Sequence, residues 1–450
     1  MESLRESVRK VMPSVRADLE RMVRIPSVSA DPDAAEHMAA SAELVATLLR
    51  EAGLSDVEIV SVEGGQPAVL GHRPAPPGAP RVLLYAHHDV QPVGPRGDWT
   101  SDPFAPEERD GRLFGRGASD DKAGIALHLA ALRACGDDLP VGVIVLVEGE
   151  EEIGSPTLRA FLSTYRDRLA ADVVVLADST NWTVDVPALT TSLRGGTHVT
   201  VEVRTLDHAV HSGMYGGAVP DALTALCRLL ATLHDADGNV AVDGLLAGTS
   251  DAPELTEAQL RSDAGVLDGV HLIGSGALTD RLWRKPSVTV IGIDAPSVAE
   301  ASPTLLPVAR AAISLRVAPG DDARTAQAAL IAHLESRAPW GAHLTVTPRG
   351  TASPYTATAT GRAYDAAHWA FEQAWGTAAV DIGVGGSIPF IAAFAELLPD
   401  AEILITGVED PDTRAHGPNE SLHLAMFDRC CLAEALLLAR LGPSGSDHAE

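Results

Sequence analysis

Five places along this chain carry side chains of the kind that hold a divalent cation. His87-His88-Asp89 follows an apolar run ending at Tyr85, Asp120-Asp121-Lys122 follows Gly115-Arg116-Gly117, and Glu148-Gly149-Glu150-Glu151-Glu152 follows the run through Val147. Asp178 comes directly after Val173 to Ala177, and His416 lies in a loop-like stretch after a run ending at Thr406. Imidazole nitrogen and carboxylate oxygen suit hard or borderline cations, and a two-metal hydrolytic site needs about six such ligands, one carboxylate being shared. Each place also has a plain structural reading: an Asp at a strand end often caps a helix, an acidic run is often a solvated turn, and a loop histidine is often merely exposed. Their succession in this order is far more specific than any one of them. Cysteine is not needed. Cys135, Cys227, Cys430 and Cys431 show no CxxC spacing and lie on apolar helix-like stretches, so they read as reduced core residues.

The elements that must position these residues follow from periodicity. Two amphipathic helices are predicted, over about 12–24 and 34–52, followed by short apolar runs alternating with helical patterns. The runs Arg81 to Tyr85, Gly142 to Glu148 and Val173 to Ala177 read as strands, the last two buried with little polar alternation. All three end in acidic or histidine-bearing segments, and in open α/β sheets sites assemble at the carboxyl ends of strands. From about Leu193 the texture changes to strand, helix, strand, strand, helix, strand, with a loop-rich stretch over about 238–280. This second pattern is α+β. Past about Pro354 a helical segment and the strand Ala401 to Thr406 resume the first pattern. The fold class is therefore α/β with two domains: one with a mixed, largely parallel sheet over 1–192 and 355–450, interrupted by an α+β domain over 193–354.

At this point the sequence resembles a known family, the M20 metallopeptidases, and within it the dipeptidase and carnosinase-like branch. The landmarks read Leu83-Leu84-Tyr85-Ala86-His87-His88-Asp89-Val90-Gln91-Pro92-Val93, Gly115 to Lys122, Glu148 to Ser155, Leu193-Arg194-Gly195-Gly196, His211-Ser212-Gly213, Gly385-Gly386-Ser387-Ile388-Pro389 and His416-Gly417-Pro418-Asn419-Glu420. The resemblance implies two divalent ions per chain, zinc foremost, with manganese or cobalt also accepted by such ligands. It implies that His87 and Asp178 hold one ion, Glu152 and His416 the other, and Asp120 both, with a cis-like peptide after Asp120. Asp89 would orient His87, and Glu151 would be the general base. The interrupting domain would be a lid and dimerisation domain. Its His211 would support the developing oxyanion of the partner's site. Arg316 and the backbone of Gly385, Gly386 and Ser387 would take the substrate's free carboxylate. The sequence departs from the pattern at Ala86, His88, Ala123 and Gly383-Val384, the last standing where a charged Arg-Glu is common.

The expected reaction is amide hydrolysis of a dipeptide or other small peptide with a free carboxylate. Aminoacylase or deacylase action on N-acyl amino acids is the enzymatic alternative, and an inactive metal-binding scaffold is the non-enzymatic one, which the intact Glu151 speaks against. Bulk properties agree. The 450 residues, 46% of them hydrophobic, allow two cores. A formal net charge of −27 argues against nucleic acid or an anionic membrane as partner. There is no run of about 18 apolar residues, and the opening segment is charged rather than signal-like, so a cytoplasmic protein is expected; the resemblance implies that it works as a homodimer.

Overall fold

The structure, a computed structural model, describes residues 2–386 and 388–443. Ser387, one of the expected carboxylate-binding residues, lies outside the described residues. The chain forms two compact units: one runs to Thr191 and resumes over Ala357–Ile382 and from Pro389 onward, and the other comprises Ser192–Thr356 and Gly383–Ile388.

The first unit is built on a six-stranded sheet in the order Asp56–Val60, Ala68–Arg73, Gly142–Glu148, Arg81–His87, Val173–Leu176, Glu402–Ile405. The last four run parallel, and the first two are antiparallel additions at one edge. Every residue of Gly142–Glu148 is buried, as both covered faces of a central parallel strand require. Helix Lys122–Cys135 packs on strand Arg81–His87 and against helices Glu2–Val23 and Leu424–Leu441. It is buried from Lys122 to Leu132. Its first turn needs glycine at one position: a Cβ on Gly124 would lie 2.2 Å from the Asp121 carboxylate and 2.8 Å from the Ala177 carbonyl. The buried ammonium of Lys122 donates to the carbonyls of Met22 and Ile25, which closes the end of the first helix.

The second unit has a four-stranded antiparallel sheet in the order Ser287–Asp294, Val308–Val317, Gly195–Arg204, His343–Ala352. Helices Ala222–Ala231 and Ala323–Ser336 cover it, and Val199, Val201, Val203, Ile313 and Leu315 form the core beneath them. Each helix is capped by an aspartate, Asp221 and Asp322, accepting an N–H three residues on.

Several expectations need correction. The first helix starts at Glu2, not near residue 12: its buried face extends back to Val8, and Pro13 lies inside it. The strands Asp56–Val60 and Ala68–Arg73, five and six residues long, were not read beforehand. The loop-rich stretch contains helix Glu257–Ala264. All four cysteines are free, but Cys227 is exposed rather than in a core. No helix among the described residues is long and apolar enough to cross a membrane.

Candidate metal centre

The ends of the parallel strands deliver the expected ligands together. His87 is the last residue of Arg81–His87, and it pairs in register with Glu148, the last of Gly142–Glu148. Glu151 and Glu152 open the short 3₁₀ turn Glu151–Ile153 that follows, and Asp178 lies two residues beyond strand Val173–Leu176. Asp120 precedes helix Lys122–Cys135, and the Asp120–Asp121 peptide is cis. His416 reaches the same place from the loop after strand Glu402–Ile405.

Two groups result, each with ligand atoms within 4.8 Å of one another: His87, Glu151 and Asp178, and Asp120, Glu152 and His416. Asp120 joins them. One of its oxygens is 3.1 Å from Nε2 of His87 and the other 3.0 Å from Nε2 of His416. The His87 nitrogen is also 3.9 Å from Asp178, and the His416 nitrogen 3.2 Å from Glu152. Nδ1 of His87 lies 3.0 Å from the Asp89 carbonyl, so that nitrogen takes the ring proton. Nε2 of His87 is then an acceptor, buried and without a hydrogen-bond partner, facing carboxylate oxygens. Acceptors crowded against acceptors call for a cation, and the donor set suits a divalent one.

The electrostatics say the same. Burial pushes the Glu151 carboxyl up to about 8, with His87 opposing and Glu152, Asp120 and Glu148 adding to the rise. Burial likewise raises Asp178 well above the usual range, against the pull of His87. Asp120 is held low despite its burial, by the His416 and His87 imidazoles that flank it. Hydrogen bonds to Asp120 and then Glu152 raise His416 to about 10. Four carboxylates and two imidazoles thus compete for protons that two cations would replace.

Asp89 faces both His87 and the acidic turn. Nδ1 of His87 lies 3.0 Å from the Asp89 carbonyl and 3.4 Å from its carboxylate. The carboxylate also accepts the backbone N–H groups of Glu151 and Glu152, at 3.2 and 3.1 Å, and so fixes the acidic turn. Sequence reasoning gave no role to Gln91, whose amide donates to the Glu152 carboxylate at 2.8 Å, nor to Arg116 and Glu420. The only available signal was that all three stand inside the motif strings.

The remaining expected residues belong to the second unit. His211 ends the short strand Val210–His211, and its Nδ1 accepts the N–H of Gly213, which leaves the ring proton on Nε2, free to donate outward. Arg316, on strand Val308–Val317, pairs in register with Ser287 and Gly196. Arg194, unassigned from the sequence, donates to the Gly385 carbonyl and to Ser287, and burial together with Arg316 lowers its guanidinium to about 10. Two neighbouring guanidinium groups in so acidic a chain favour an anion. Gly386 is half-buried beside Gly385.

Comparison with known proteins accords with this geometry. The profile described as Peptidase family M20/M25/M40 matches residues 83–440. A curated relative, the cysteinylglycine-S-conjugate dipeptidase of Corynebacterium striatum, is 34% identical over 94% of this chain and 95% of its own. Among solved structures, the dipeptidase Dug1p of Saccharomyces cerevisiae superposes with a TM-score of 0.85 at 22% identity, covering 99% of both chains. Human carnosine dipeptidase 1 gives 0.83 at 25% identity, over 98% of both. With the profile spanning most of the chain and the bacterial relative aligned nearly end to end, this chain belongs to peptidase family M20/M25/M40 and is a metal-dependent peptidase of the dipeptidase type.

Proposed function

We propose that this enzyme hydrolyses the amide bond of dipeptides and similarly small peptides with a free C-terminal carboxylate, of which a cysteinylglycine conjugate is one. The observation that carries the reading is Asp120, whose two oxygens each meet one imidazole from a separate ligand group. His87, Asp178 and Asp120 would hold one divalent ion, and Asp120, Glu152 and His416 the other. Bound there, the ions would polarise the scissile carbonyl and acidify the attacking water; zinc is the first candidate, with manganese or cobalt compatible.

The chain's own groups do the rest. Glu151 accepts the water's proton and delivers it to the leaving amine nitrogen. Asp89, through the two N–H groups it accepts, keeps Glu151 and Glu152 pointed to their separate tasks. Arg316, beside Arg194 and the backbone of Gly385 and Gly386, takes the substrate carboxylate, so that the site measures from the C-terminal end of a short substrate. Elemental analysis of the purified protein is expected to give about two divalent ions per chain, and exhaustive chelation to abolish dipeptide hydrolysis until metal is restored. A fully loaded, folded protein with one ion would overturn the shared role of Asp120. Greater activity on N-acyl amino acids than on dipeptides would reassign the substrate to the acylase class.

The working form in this reading is a cytoplasmic homodimer in which His211 donates through Nε2 to the oxyanion of the partner's substrate. Strand Ser287–Asp294 supports it: this edge is paired on one side only and exposes Val290, Ile291 and Ile293, an apolar edge of the kind that seeks a second strand. Mixing Glu151→Ala subunits with His211→Ala subunits, each inactive alone, is expected to restore about a quarter of the sites, since half the dimers are mixed and each has one complete cleft. No recovery after demonstrated subunit exchange would show that His211 does not act across the interface.

A further inference from the structure

The two ions proposed above are not held with equal security, and the reason lies in the backbone rather than in the ligands. His416 is the one ligand whose side chain is largely exposed, at 60%, so packing does not fix its ring. Its loop is also unfavourable locally. Arg414, His416 and Asn419 all have positive φ, 58°, 61° and 61°, a region that side-chain-bearing residues enter only when something outside the segment holds them.

What holds the loop is a fully buried ion pair. Arg116 and Glu420, 1% and 0% exposed, meet at 2.6 Å. Through its other terminal nitrogen, Arg116 donates to the carbonyls of His416 at 3.0 Å and Gly417 at 3.3 Å, and to Pro92 at 3.3 Å. The Glu420 carboxylate accepts the N–H groups of Gly117, Ser119 and Asp120, at 3.0, 2.9 and 3.1 Å. The Glu420 carbonyl accepts the N–H of Gly115 at 3.0 Å. One buried pair therefore grips both the residue shared by the two ions and the exposed ligand of the second, although about 300 residues of chain separate them.

We infer that Arg116 and Glu420 are positioning residues that set the affinity of the second metal position, the one formed by Asp120, Glu152 and His416, while leaving the His87 and Asp178 position largely to itself. This rests on the two-metal reading. Two of the second ion's three ligands hang from the pair. For the first ion only the shared Asp120 does. The His87 ring is fully buried, with Nδ1 on the Asp89 carbonyl, and Asp178 follows directly on Ala177, whose N–H donates to the Tyr85 carbonyl beside strand Val173–Leu176.

The test is stepwise zinc titration of metal-free protein against a chromophoric chelator, for wild type, Glu420→Gln and Arg116→Lys. Glutamine keeps the shape of Glu420 but puts an amide donor against donors. Lysine keeps the charge of Arg116 without the planar fork that reaches Glu420 and two carbonyls at once. Both variants are expected to bind the first ion as wild type does and the second about 10- to 100-fold more weakly. Glu434→Gln, which removes the negative charge from the buried His128 to Glu434 contact of 2.8 Å in the helical core, is expected to lower thermal stability and leave both affinities unchanged. That control separates positioning from general destabilisation, and Arg116→Lys retains the buried cation should Glu420→Gln fail to fold. Equal weakening of both ions, or a second ion bound as in wild type by the folded variants, would overturn the inference. A wild-type chain that takes up only one ion sinks the two-metal reading and this one with it, and that failure shows before any variant is compared.

Discussion

Glu151→Gln is expected to yield a folded protein with its full metal content and a dipeptide turnover about two to four orders of magnitude below wild type. The exchange preserves size and hydrogen-bonding shape but removes the ability to take a proton from water. The environment of Glu151 suits that task, because burial keeps its carboxyl more basic than a surface glutamate, up to about 8 before any cation is bound. Glu152→Gln is expected to behave in the opposite order. Its carboxylate faces His416 at 3.2 Å and is steadied by Gln91, so its loss should first appear as weaker metal binding, with turnover recovering in excess metal. Glu151 itself falls in one ligand group with His87 and Asp178, which makes the comparison informative. If Glu151→Gln loses an ion along with its activity, Glu151 is a ligand and the base must be sought elsewhere.

The second large effect is structural. Gly407→Ala is expected to destabilise the protein by about 3 kcal/mol, the upper end of what overpacking a well-filled interior costs. A Cβ at this position would fall 1.7 Å from the Ser179 carbonyl oxygen and 2.3 Å from two further backbone atoms of Ser179. A rotamer change cannot relieve such a contact, because the obstacle is main chain. The displaced segment is the one immediately after Asp178, so weaker zinc binding is expected to accompany the lower unfolding midpoint in urea. Gly97→Ala, where a Cβ meets nothing within 4 Å and φ is not positive, is the matched control and should lie within about 0.5 kcal/mol of wild type. Indistinguishable unfolding midpoints for the two variants would mean that the contact between residues 407 and 179 relaxes without cost.

Much of the centre was legible beforehand because metal ligation is a chemical requirement written in residue types. His87, Asp120, Glu151, Glu152, Asp178 and His416 each follow an apolar run or a glycine-bearing turn, and parallel strands bring such positions to one edge of a sheet. The strands Arg81–His87, Gly142–Glu148 and Val173–Leu176 were readable for the same reason: strands buried on both faces are continuously apolar. The strands Asp56–Val60 and Ala68–Arg73 carry no such continuous apolar run, since the first alternates and the second contains Gly71, His72 and Arg73. The first helix was read too short, because its amphipathic pattern is plain only in the second half of a 22-residue helix that carries Pro13 in its interior.

Most of the support of the centre was not legible. Arg116 and Glu420 are charged residues in loop-like sequence, where the ordinary reading is a solvated surface. Their meaning depends on a burial and a pairing that bring together residues 304 positions apart. The same holds for the N–H groups of Glu151 and Glu152 that the Asp89 carboxylate accepts besides facing His87, and for Arg194, whose neighbour Arg316 lies on another strand. Sequence alone determined which atoms are available to hold cations and which sheet edge presents them, because ligand chemistry and strand periodicity are local. Tertiary structure decided which backbone groups each buried charge must satisfy. That choice is made by whatever donors and acceptors the fold leaves within 3 Å once water is gone, which no local pattern specifies.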